Sequence, residues 1–97
     1  MKETQHTISD WAVNTFGAAG SNLNIAKKAQ EEMHEILEEL GENDLSTNAI
    51  IEIADVMIVL YHLATDLGCP DIHAVIDEKM TINRTRKWDL KTNRHIE

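Results

Sequence analysis

The stretch Ala49–Leu67, AIIEIADVMIVLYHLATDL, decides the fold. Its apolar residues run almost all the way round a helical wheel, and a helix of that kind is normally buried. Glu52 and Asp55 interrupt it three residues apart, so they share one face. Asn48, Val59, His62 and Asp66 continue the same narrow stripe. An unpaired buried carboxylate costs roughly several kcal/mol unless its charge is compensated or it takes up a proton. The pair therefore calls for something positive, either a basic side chain or a metal ion.

The rest of the chain is helical around it. A first helix is expected from about Ile8 to Phe16, capped by Thr7 or Ser9 and ended near Gly17, with residues 1–6 frayed. Trp11 and Phe16 fall on one side of it. Phe16 reads as core, and Trp11 as core or as a stacking platform for a flat ligand. The small-residue loop GAAGSNLN leads to a second helix, capped by Ser21, Asn22 or Asn24 and stopped at Gly41. Its core stripe is Ala26, Ala29, Met33, Ile36, Leu37 and Leu40, while Glu38, Glu39 and Glu42 read as solvated. The short turn ENDLST makes helices two and three antiparallel neighbours, with Asp44 or Ser46 capping helix three. A fourth helix opens at Cys69-Pro70-Asp71 with Pro70 in its first turn and runs to about Trp88, a packing anchor. No strand alternation or repeat is visible. The expectation is all-α: a compact antiparallel bundle of about four helices in one domain, core 7–88, with a polar C-terminal arm over 89–97.

Composition narrows the function. The chain has 97 residues and a net charge of -8, which argues against a nucleic-acid binder. The acidic stripe on helix three argues against a membrane span. A single cysteine and the absence of an apolar leader lead us to expect a cytoplasmic protein. The apolar girdle of helix three is wider than one small bundle needs, so self-association is expected, as a homodimer or homotetramer. Six of the nine Lys and Arg lie from Lys79 onward, and six Glu lie from Glu31 to Glu42. An acidic patch facing a basic one suits a metal–phosphate complex.

Helices two and three together carry the chemistry. Glu31-Glu32-Met33-His34-Glu35 reads E-E-x-x-E, and Glu52-Ile53-Ala54-Asp55 reads E-x-x-D, with sixteen residues between them. Antiparallel packing can bring Glu32 and Glu35 opposite Glu52 and Asp55. Four converging carboxylates cannot all stay ionised without cations, and all-oxygen ligands favour Mg²⁺ or Mn²⁺. The competing account is a set of buried salt bridges to Lys27, Lys28 or the C-terminal basic residues. His34 points to the surface, and His62, two turns beyond Asp55 on the same stripe, reads as a core histidine before it reads as a border of the site.

The two motifs resemble those of the all-α nucleoside triphosphate pyrophosphohydrolases, the MazG-like superfamily. Trp11-Ala12-Val13-Asn14-Thr15-Phe16-Gly17 is similar to the W-x-x-x-T-F-G opening of its small phage and bacterial branch. Lys79-x-x-x-Asn83-x-x-Arg86-x-Trp88 is similar to that branch's closing motif. The resemblance implies Glu32, Glu35, Glu52 and Asp55 as metal ligands, and Glu31 or Glu35 as the group that activates water. It implies Mg²⁺ or Mn²⁺ as cofactor and a purine dNTP as substrate, with dGTP placed before dATP. Cleavage would fall at the α–β phosphoanhydride. Lys79, Asn83 and Arg86, sharing a face of helix four, would hold phosphates together with Lys28, and Trp11 with an amide of Asn14 or Asn24 would read the base. A phosphoribosyl-ATP pyrophosphohydrolase and a non-catalytic acidic interaction module are the alternatives.

Overall fold

The computed structural model describes residues 2–17, 20–89, 91–92 and 94–95, with the side chains of 88, 89, 94 and 95 left aside. The all-α expectation holds. Helices α1 (Gln5–Phe16), α2 (Asn22–Glu42), α3 (Ala49–Asp66) and α4 (Ile72–Thr85) make up most of it. Beyond them, Trp88–Asp89 and Arg94–His95 form a two-residue antiparallel ladder. The packing role expected of Trp88 concerns a side chain outside those described.

Helix α1 starts earlier than expected. Thr4 is its cap: the Thr4 hydroxyl accepts from the Thr7 N–H at 3.2 Å, and the Thr7 hydroxyl accepts from the Thr4 N–H at 2.8 Å. This is a capping box with threonine where Glu or Gln is usual. Gln5 is consequently not frayed but buried. Its amide nitrogen donates to the Cys69 carbonyl at 2.7 Å and to the Thr65 hydroxyl at 2.9 Å. Its amide oxygen accepts from the Ile72 N–H at 2.7 Å. Ser9 adds a 2.8 Å bond to Thr65. These bonds fix α1 across the C-terminal half of α3 and the start of α4. Gln5→Ala would strand the Ile72 N–H and the Cys69 carbonyl, so we expect a loss of about 2 kcal/mol. Urea unfolding at fixed protein concentration measures it, and an unchanged midpoint would contradict the role.

Helices α2 and α3 pack antiparallel, as the short turn requires. Ser21 caps α2, accepting from the Asn24 N–H. The helix passes through Gly41, which was expected to stop it, and closes at Asn43. Glu39 is no solvated bystander. Its carboxylate accepts from Ser46 Oγ at 2.5 Å and Asn48 Nδ2 at 3.4 Å, tying the end of α2 to the start of α3. Asn48, rather than Asp44 or Ser46, takes the cap position of α3. Gly68, at φ +89°, turns the chain beyond α3 in a conformation that glycine adopts without a Cβ clash.

The core is thin. Ile25, Ala29 and Val59 form its centre with Leu63 against them. Met33 and Leu37, expected inside, are exposed, as are Ile50, Ile51, Ile53, Met57 and Leu60 on α3. Asp71 caps α4, accepting from the His73 and Ala74 N–H groups, so Pro70 precedes the cap instead of sitting in the first turn. Helix α4 buries no residue at all. Val75, Ile76, Met80 and Ile82 remain open. The radius of gyration, 15.7 Å, exceeds the about 12–13 Å of a closely packed domain of this length. Three helices make the body, and the fourth extends from it. Among the described residues, no helix is long and apolar enough to cross a membrane.

Candidate active site

The antiparallel register of α2 and α3 brings the two acidic motifs together. One carboxylate oxygen each from Glu32, Glu52 and Asp55 lie within 4.8 Å of one another. Glu35 stands beside this group, close enough to raise the carboxyls of Glu52 and Glu32. Glu31 is exposed on α2 and stands outside this cluster.

The electrostatics are those of uncompensated charge. Burial pushes the Glu32 carboxyl above its ordinary range, and the charges of Glu35 and Asp55 push it further. The Glu35 hydrogen bond raises Glu52 in the same direction, helped by burial and by the charges of Glu35, Asp55 and Glu32. Lys28 opposes the shift on Glu32, with its Nζ 3.9 Å away. One lysine against four carboxylates leaves a net negative site. That weighs against the salt-bridge account and fits a hard divalent cation, because every donor is a carboxylate oxygen.

The cluster forms one end of a cavity of about 450 Å³, within the size range of small-molecule sites. Glu32, Asp55 and Lys28 line that end, and Ile25, Ile58 and Val59 form an apolar wall. Trp11, Phe16, Asn24 and His62 complete the lining. Trp11 and Phe16 meet edge to face at 5.4 Å and 86°. Lys28 lies over the Phe16 ring, 5.9 Å from its centroid. Phe16 is therefore not core: it is 64% exposed and faces the cavity. His62 likewise lines the cavity and is not enclosed in packing. Asn14 does not reach the lining, whereas Asn24 does. His34 is on the surface beside Glu38, as expected.

Lys79, Asn83 and Arg86 are not among the residues that line this cavity. Lys79 and Asn83 are on α4, but the helix ends at Thr85 and Arg86 is extended, at φ −86° and ψ 151°. The single helical face expected for all three therefore stops at Asn83. His62 could have been found from the sequence, because the stripe Glu52, Asp55, Val59, His62 keeps one face for about three turns. Phe16, the last residue of α1, carries no such signal.

No family model and no solved structure matches the chain. A curated protein does: a dATP/dGTP diphosphohydrolase of Cyanophage S-2L is 39% identical over 79 residues, covering 76% of this chain and 74% of the phage protein. Identity of that extent, together with an acidic cluster at one end of a cavity of small-molecule size, places the chain in the family of that phage diphosphohydrolase.

Proposed function

We propose that the chain is a metal-dependent purine dNTP pyrophosphohydrolase, cleaving the α–β anhydride of dGTP and dATP to the monophosphate and pyrophosphate. The convergence of Glu32, Glu52 and Asp55 within 4.8 Å, at one end of a cavity with an aromatic cover, carries this reading. The phage relative's name supplies the substrate class. The site of action is the cytoplasm, where the dNTP pool lies.

Glu32, Glu52 and Asp55, with Glu35, would hold Mg²⁺ or Mn²⁺. Such an ion supplies charge neutralisation at the phosphates and acidifies the attacking water. The chain's own groups do the rest. Glu35, beside Glu52, would take the water's proton as the water oxygen attacks the α-phosphorus and the bond to the bridging oxygen of the β-phosphate breaks. Lys28 faces the anionic end.

Lys79 and Arg86 enter from a second copy in this reading. The open apolar faces of α3 and α4 need a cover, and a second copy offers the same surface in return. The basic end of α4 complements the acidic cluster in charge. Incubating the protein with each dNTP and NTP in Mg²⁺ or Mn²⁺, and separating products by ion exchange, tests the reaction. Monophosphate and pyrophosphate from dGTP and dATP are expected. Diphosphate and orthophosphate would refute the bond assignment. No turnover, with EDTA changing nothing, would leave an acidic interaction module.

A further inference from the structure

The cavity runs along α3, lined by Asp55, Ile58, Val59 and His62. Asp55 and His62 both line it from α3, seven residues apart, which is about 10.5 Å along a helix axis. That separation leaves room for an ion, an α-phosphate and a sugar before the five-membered ring of a purine, which carries N7, comes level with His62. With phosphates at Glu32 and Asp55, the sugar lies along Ile25 and Val59, and the base arrives at His62 under Trp11 and Phe16. The antiparallel register sets Asn24 and Ile25 of α2 near the same level.

His62 is half-buried and projects from the interior of α3, and its ring makes no hydrogen bond or ion pair to any of the described residues. Asn24 is exposed in the first turn of α2. A site that takes both purines cannot rely on the six-position, where adenine donates and guanine accepts. The feature the two bases share on that edge is the N7 acceptor, which pyrimidines lack. A neutral imidazole carries one N–H donor suited to it.

Building on the dNTP reading above, we propose that His62 is the purine-selecting residue, donating a ring N–H to N7 of the base. Adenine and guanine are admitted alike, and pyrimidines leave the donor unsatisfied. His62 touches the base and not the reacting phosphorus, so it sets specificity.

The test compares dGTP with 7-deaza-dGTP, in which N7 is replaced by C–H. The wild-type protein is expected to lose about tenfold in kcat/KM on the deaza substrate, the size of one hydrogen bond. In His62→Phe the two substrates should become equal, and preference for dGTP over dCTP should shrink by a similar factor. A merely structural histidine would lower both substrates together and leave their ratio alone. Equal turnover of dGTP and 7-deaza-dGTP by the wild type overturns the proposal without any variant, even if His62→Phe fails to fold. A ratio unchanged in a folded His62→Phe overturns it too. In both cases dGTP turnover persists and the pyrophosphohydrolase reading stands. Absence of all dNTP turnover overturns both.

Discussion

Asp55→Asn is expected to abolish dNTP turnover, by about 10³-fold or more, while the protein stays helical and becomes more stable without metal. Glu52→Gln should do the same. The two effects share one cause. Each carboxylate in the cluster is placed beside others of its own sign, a cost the fold accepts because the site needs the charge. The pH dependence follows from Glu32 and Glu52. Both carboxyls hold protons more tightly in the folded chain than at the ordinary 4.5, so the folded state binds more protons than the unfolded one just above that pH. Stability from this source is present below 4.5 and is lost as pH rises through the raised values. The metal-free protein should therefore melt higher at mildly acidic pH than at pH 7.5. Glu52→Gln should flatten the difference. Mg²⁺ or Mn²⁺ should raise the wild-type melting temperature at pH 7.5, because binding to the folded state alone stabilises it, and should do little for the variant. Differential scanning fluorimetry across pH, with and without metal, reads all three. A metal-free wild type at its most stable at pH 7.5, or a Glu52→Gln variant that melts lower, would contradict the account.

The acidic pairs were legible because helix geometry needs no tertiary information. Three-residue spacing puts Glu32 with Glu35 and Glu52 with Asp55 on single faces, and a short turn forces the two faces together. The start of α1 was not legible in the same way. Thr7 replaces the expected Glu of a capping box, and only burial of Gln5 against Cys69 and Ile72 shows why the helix begins there. Phe16 shows a different limit. Hydrophobicity says that a side chain will be covered but not by what, and the covering implied here is a bound base. Helix α4 repeats that ambiguity on a larger scale. Its apolar positions are spaced for packing, and the body to pack against is not in the same three helices. Arg86 falls off the helical face because α4 ends at Thr85, a boundary with no glycine or proline to announce it.

Mixing two inactive variants should restore activity, and this is the sharpest consequence of α4 extending from the body. Asp55→Asn keeps an intact α4 but a dead acidic cluster. The double variant Lys79→Ala/Arg86→Ala keeps the acids but loses its phosphate-binding cations, and should fall by about 10²-fold. If a site draws its acids from one chain and its α4 cations from another, a mixed dimer contains one fully wild-type site and one doubly defective site. Random pairing of equal amounts makes half the dimers mixed, so about a quarter of wild-type activity should return after subunit exchange. A site built within one chain gives no recovery, because every chain in the mixture carries a lesion. The same geometry requires the wild type to sediment as a dimer or larger at working concentration. It also requires that a charge on the exposed α3 face, such as Met57→Glu, separate the copies and remove activity together. Met57 lies outside the cavity lining, so its loss of activity would come through assembly. A monomeric Met57→Glu protein with full turnover, or a mixture of variants with none, would place Lys79 and Arg86 outside the reaction and leave Lys28 as the cation that meets the phosphates.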